Sequence, residues 1–321
     1  MPDDRSLVAA ALGQDRYATA RLISLFEDTR SAAESRRAQV IDQLDEIKAP
    51  YAPMIGLTGT PGAGKSTLLS ALAHSILARN ATLRLGILAI DPTSQISKGA
   101  LLGDRTRLAT GDGDDRLFFR SQASALDLGG LGRDTYAVSR LMVRLFDLVF
   151  IETVGIGQSE TDIRQLVDRT YLVLQPAAGD EIQFMKAGIM EIPDAFIVNK
   201  SDLGNLAQRT ATALKTIGGF AVPGENQAIP VCTVSAQNGD GVETLAAEMA
   251  TCLAADHGQR AKSDCWFFRR WLRYCYGQWG LDWFERSSAG GVEALIEEKG
   301  YDRAIIFAQD LWNQQFAKAE N

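Results

Sequence analysis

Three stretches of the chain carry residue types and spacings suited to handling a nucleoside triphosphate. Gly59-Thr60-Pro61-Gly62-Ala63-Gly64-Lys65-Ser66 fits G-x-x-x-x-G-K-[ST]. Glycines there let backbone N–H groups approach phosphate oxygens, and a following helix aims its positive end at the same anion. Lys65 would reach the β- and γ-phosphates, and Ser66 would bind magnesium through its hydroxyl. Gly62, Ala63, Gly64, Lys65, Ser66 and Thr67 form the expected phosphate cradle. Thr60 stands where a variant of this loop carries a second signature lysine, which argues against that variant.

The second stretch, Glu152-Thr153-Val154-Gly155, ends the apolar run Leu148 to Ile151. A carboxylate there can hold magnesium, directly or through a water. GTPases usually place Asp at this position; Glu152 is one methylene longer, which favours an intervening water. Gly155 would offer its N–H to the γ-phosphate, so the segment would sense hydrolysis. The third stretch, Asn199-Lys200-Ser201-Asp202, follows Phe196 to Val198. In such sites the aspartate accepts hydrogen bonds from guanine N1–H and the exocyclic amine. Adenine cannot supply that pair, and a polar group would be left unpaired. Lys200 would lie along the base, Asn199 would tie the loop to the phosphate loop, and Ser235-Ala236 would bring a backbone contact to guanine O6. The ordered set points to GTP and magnesium rather than ATP. Asp91 and Asp104 lie in the long segment that follows the second strand, as magnesium ligands or as ordinary turn residues. Arg105 and Arg107 stand nearby, either to neutralise phosphate charge or as solvated side chains.

These residues need a scaffold that brings strand ends together. Short apolar strands are expected at Met54–Thr58, Leu83–Ile90, Leu148–Thr153, Tyr171–Gln175, Ala195–Asn199 and Val231–Ser235, with a helix over Ser66–Leu77. Near-continuous apolar strands alternating with helices imply a doubly wound α/β, mainly parallel sheet covered on both faces. Ligands on such sheets bind beyond the carboxyl ends of the strands, where all three motifs fall. Asp91 to Asp147 reads as one long, polar, glycine-rich segment, a natural place for a switch. Residues 1 to 50 read as a helical pair ending at Pro50 and Pro53. All five tryptophans lie beyond residue 265, among arginines and other aromatics; they suit either a small helical core or an interface. The organisation expected is a helical extension over 1–50, a GTPase domain over 51–258 and a C-terminal helical arm over 259–321.

Composition narrows the class. A net charge of −7, from 40 acids against 33 bases, does not suit a nucleic-acid binder. The four cysteines form no C-x-x-C pair, and there are two histidines, so reduced thiols in a cytoplasmic protein are expected. The acidic start, without an apolar core, is not expected to act as a signal peptide, and no run approaches the ~18 apolar residues of a membrane span, so none is expected.

Gly59–Ser66, Ile90-Asp91-Pro92-Thr93-Ser94, Leu102-Gly103-Asp104-Arg105-Thr106-Arg107, Glu152 to Glu160 and Gly179-Asp180-Glu181 together resemble the MeaB/ArgK-type P-loop GTPases. These are G-protein chaperones of cobalamin-dependent acyl-CoA mutases, and the resemblance covers about residues 50 to 240. It implies GTP-gated loading and protection of adenosylcobalamin, with that cofactor held by the mutase and delivered by an adenosyltransferase. It also implies a homodimer built through the C-terminal arm. It gives Asp91 and Asp104 a magnesium or switch role, and makes Gly179 to Lys186 a third switch, with Lys186 a candidate for the catalytic set beside Lys65, Asp104 and Glu152. Gln158 lies three residues beyond Gly155, so the Ras-type water-positioning glutamine does not carry over; slow hydrolysis accelerated by the partner is expected. Alternatives are a nickel-delivery GTPase, which would commonly carry Cys/His ligands, a metabolite kinase, and a nucleotide-binding subunit without turnover.

Overall fold

The computed structural model describes residues 3–91, 114–123, 131, 133–153, 159–176, 193–218, 228–251, 260–288 and 290–316. The chain divides into two compact units. One comprises Met1–Pro50, Arg133–Leu145 and Asp256–Asn321; the other comprises Tyr51–Gly132 and Phe146–Ala255.

The second unit is built on a seven-stranded sheet among the described residues, with every pairing parallel. Its strands are β1 (Met54–Gly59), β2 (Leu85–Asp91), β3 (Leu117–Ala123), β4 (Leu148–Glu152), β5 (Arg169–Leu174), β6 (Ala195–Val198) and β7 (Val231–Thr233), in spatial order β3-β2-β4-β1-β5-β6-β7. Successive side chains on a strand point to opposite faces, and each face finds its own helices. Ile55, Leu57, Tyr171, Val173 and Ile197 pack with the helices Lys65–Arg79 and Val242–Ala250. The alternating set Leu172, Leu174, Phe196 and Val198 packs with Ala207, Ala211 and Leu214 of the helix Asn205–Gly218. Ile55, Leu57 and Ile197 are fully buried, each worth about 1.5–3 kcal/mol relative to exposure. Gly56 lets the helix Ser159–Leu166 close on β1: a Cβ there would sit 2.7 Å from Ile163 Cδ1.

Six expected strands are present, with ends shifted by a residue or two. The seventh, β3, corrects the reading of Asp91 to Asp147 as one polar segment. Within it lie both β3 and the helix Arg133–Leu145. The glycines that dominate that reading cluster at 99–113 and 129–132, whereas Leu117-Phe118-Phe119 pairs in parallel with β2 from Leu85 onward.

The other unit is helical. Its first fifty residues hold three helices, Asp4–Leu12, Arg16–Glu27 and Ser31–Glu46, rather than a pair. The expected first helix breaks at Gly13-Gln14-Asp15. Gln14 takes a positive φ of 71°, and Asp15 caps the next helix by accepting from Ala18 N at 2.8 Å. Beyond residue 260 the helices are Arg260–Ser287, Gly291–Lys299 and Tyr301–Phe316. Arg140, on the helix Arg133–Leu145, pairs with Asp302 and, at 3.3 Å, with Asp264. Tyr136 donates to Asp264 at 2.6 Å and stacks on Phe267 with ring centroids 3.9 Å apart. The tryptophans build a helical aromatic cluster: Trp312 meets Tyr276, Trp279, Trp283 and Phe316. Trp279 nevertheless stays exposed.

Candidate nucleotide site

At the carboxyl end of β1 the chain turns into the phosphate loop. Gly59 has φ +140°, and a Cβ on it would lie 1.9 Å from the Val173 carbonyl oxygen of β5. Gly62 and Gly64 also take positive φ. The helix that begins at Lys65 has Gly64 as its left-handed N-cap and no side-chain cap. Its first N–H groups therefore have no capping side chain, which suits an anion. Lys65 is buried, and its ammonium donates to the carbonyl oxygens of Gly59 at 2.9 Å and Thr60 at 3.1 Å. Those two acceptors hold the charge over the loop.

β4 lies beside β1, with Leu57 opposite Glu152. That register brings Ser66 Oγ to Glu152 Oε1, a 2.7 Å hydrogen bond across 86 positions of sequence. Two hard oxygen donors this close fit magnesium, which prefers oxygen ligands. Ser66 and Glu152 are the residues here that would hold it. Thr153 Oγ1 donates to Thr58 Oγ1 at 2.8 Å, pinning the start of the following segment to β1. Asp91 ends β2, and its side chain lies outside the described residues. Asp104, Gly155, Gly179 to Glu181 and Lys186 lie outside them too, as do Arg105 and Arg107.

The guanine-type loop follows β6. Asn199 is buried; its Nδ2 donates to the Ala63 carbonyl at 2.8 Å, and its Oδ1 accepts from Ala236 N at 3.0 Å. One amide thus ties the phosphate loop, the β6 loop and the β7 loop. Gly64 is constrained by the same amide: a Cβ there would come within 2.7 Å of Asn199 Nδ2. Lys200 takes a left-handed φ of 59° and donates to the Gly62 carbonyl at 2.8 Å. Asp202 is exposed, and Ser235 Oγ donates to its Oδ1 at 2.6 Å, leaving carboxylate acceptor capacity at the loop tip. The structure thus brings Gly62, Ala63, Gly64, Lys65, Ser66, Glu152, Asn199, Lys200, Asp202, Ser235 and Ala236 to one end of the sheet. Thr67 follows Ser66 on the first turn of the helix and is exposed. Sequence reasoning missed the Thr58–Thr153 pair and Gln175, whose Oε1 accepts from Lys200 Nζ at 3.1 Å. A lone polar residue at a strand end carries no spacing signature, so neither had a signal to find.

Sheet order, phosphate loop and base-side loop define a P-loop GTPase domain with helical extensions. The family model for the methylmalonyl-CoA mutase-associated GTPase MeaB matches residues 19–264, and the chain belongs to that family. A protein of Pyrococcus abyssi named as a GTPase is 45% identical over 189 residues, 59% of this chain and 56% of that protein. The chain therefore spans little more than half the length of that relative. A protein of Caulobacter vibrioides, also named as a GTPase, is 34% identical over 279 residues, covering 84% of this chain and 83% of that one. The crystal structure of a LAO/AO transport system kinase superposes with a TM-score of 0.65 at 21% identity, over 96% of this chain and 97% of that chain. It shares the fold.

Proposed function

We propose that the chain is a magnesium-dependent GTPase that serves a cobalamin-dependent acyl-CoA mutase, gating the loading and protection of adenosylcobalamin. The nucleotide reading is carried by Asn199, which locks the base-side loop to the phosphate loop through Ala63 and to Ala236. The mutase reading rests on membership of a family described as methylmalonyl-CoA mutase-associated. On this reading Lys65 neutralises phosphate charge, and Gly62 to Thr67 cradle the phosphates. Ser66 and Glu152 hold magnesium, which would offset charge on the phosphate oxygens. Asp202 reads guanine, with Ser235 and Ala236 completing the base pocket. Asp91, Asp104, Gly155 and Lys186 belong to the proposed metal and switch set on the resemblance of their motifs alone. Adenosylcobalamin would be held by the mutase and brought by an adenosyltransferase. The same reading places the GTPase domain at 51–258, flanked by extensions at 1–50 and 259–321, with the second extension forming a homodimer in the cytoplasm.

The test is GTP turnover by the purified chain, alone and with each cobalamin-dependent acyl-CoA mutase of its own organism. A slow basal rate rising about tenfold or more with one mutase is expected, since partner-supplied groups raise GTPase rates by larger factors still. Turnover that no mutase alters would sink the chaperone reading while leaving the GTPase reading intact.

A further inference from the structure

Gln175 directly follows β5, at a strand end between the phosphate loop and the base-side loop. Its Oε1 is the second acceptor on the Lys200 ammonium, at 3.1 Å, beside the Gly62 carbonyl at 2.8 Å. It also reaches the phosphate loop: a Cβ built on Gly62 would have Gln175 Oε1 as its one near neighbour, at 3.9 Å. Three separate chain segments therefore converge on one ammonium group. The backbone of Lys200 is held in the left-handed region, where an L residue with a Cβ is strained. Such a conformation persists when its surroundings over-determine it.

An ammonium has three rotatable donors on a flexible four-carbon stem. One carbonyl leaves that stem free to swing about a single hydrogen bond. Two acceptors on different segments fix where the stem runs. A lysine that is to lie flat along a purine gains from being fixed before the purine arrives, because less freedom is then lost on binding. Asn199 is held independently, through Ala63 and Ala236, so the effect of Gln175 is confined to Lys200.

We propose that Gln175 is a positioning residue for guanine nucleotides: it holds the Lys200 side chain in its base-facing course and so sets how long the nucleotide stays bound. This rests on the reading of Asn199 to Asp202 as a guanine site. Gln175 acts through Lys200 and takes no part in phosphoryl transfer.

Dissociation of a fluorescent GDP from the full chain reads the proposal, with the KM and kcat of GTP turnover alongside. Gln175→Met keeps length and removes the acceptor. It is expected to speed GDP release and raise KM by about tenfold, the lower end of the scale of one hydrogen bond to a charged group, with kcat and the melting temperature unchanged. Gln175→Glu retains an acceptor oxygen and is expected to restore slow release. In a Lys200→Met background, Gln175→Met is expected to add nothing. Unaltered release from Gln175→Met, or an equal loss in the Lys200→Met background, overturns the proposal. Equal loss in Gln175→Glu, accompanied by a lower melting temperature, overturns it in favour of a packing role. A wild-type chain that binds no guanine nucleotide overturns the site reading itself, a distinct failure.

Discussion

Asp202 stands at the tip of its loop with one carboxylate oxygen taken by Ser235 and the carboxylate otherwise open to a ligand. Asp202→Asn replaces an acceptor by a donor facing guanine N1–H and the amine. It is expected to weaken GTP binding by about 10- to 100-fold, the 1.5–3 kcal/mol of a hydrogen bond to a charged group, with ATP binding unmoved. Competition calorimetry checks this, and equal loss for both nucleotides would contradict guanine reading. The pairing of Ser66 with Glu152 was legible in the sequence, because each residue sits at a fixed place in its own motif and both motifs are expected to serve the same metal. Its geometry was not, since a 2.7 Å contact depends on the β1–β4 register. Gln175 and the Thr58–Thr153 pair were illegible for a related reason: their roles arise only when strand ends are laid side by side.

Among elements, the phosphate loop is where backbone geometry is most exacting, and its glycines are not equivalent. Gly59→Ala drives a Cβ to 1.9 Å from the Val173 carbonyl at φ +140°. It is expected to part β1 from β5 and to abolish both nucleotide binding and cooperative unfolding. Gly64→Ala meets a side-chain amide, Asn199 Nδ2, at 2.7 Å. It is expected to leave the sheet folded while breaking the Asn199 bridge, so affinity falls more than the melting temperature. Gly62→Ala has no atom within ordinary contact distance except Gln175 Oε1 at 3.9 Å; only its positive φ counts against it, about 1 kcal/mol. Thermal melts paired with GDP titrations rank the three, and a Gly64→Ala chain that binds like wild type would remove the bridge from the argument. Strands with near-continuous apolar sequence were legible as elements. β3 was not, since Arg120, Ser121 and Gln122 interrupt its apolar run and glycine-rich sequence surrounds it. The break at Gly13-Gln14-Asp15 was likewise hidden, because apolar spacing continues on both sides of a cap that only local backbone geometry declares.

At the scale of the molecule, the helical unit carries a largely buried charge cluster, with Asp302 buried and Arg140 and Asp264 half-buried, that no sequence pattern could assemble. Arg140 lies between Asp264 and Asp302, from positions more than a hundred residues away. Burial pulls the guanidinium down, but the two carboxylates outweigh it and hold its pKa above the ordinary range. Arg140→Met would strand both carboxylates and is expected to cost about 3–5 kcal/mol. Tryptophan fluorescence during urea unfolding reads this unit alone, since every tryptophan lies within it; an unchanged midpoint would contradict the cluster's role. Burial, with Asp264 adding to it, pushes the Tyr136 phenol well above its usual 10.0. Burial likewise raises Tyr301, against the pull of Arg140. A raised folded pKa means the unfolded phenol ionises first. The stability these two contribute is complete below pH 10.0 and is lost as pH rises toward the folded values. Phenolate absorbance should therefore show Tyr136 and Tyr301 ionising late, together with loss of helix. The interleaving of the two units along the chain reaches further than stability. The helix Arg133–Leu145 belongs to one unit while the residues on either side belong to the other, so the polypeptide passes between them four times. No single genetic crossover can transplant the helical unit into another lineage, or lose it, without splitting the sheet unit's coding sequence. The two are therefore most simply inherited as one piece, each changing in the company of the other.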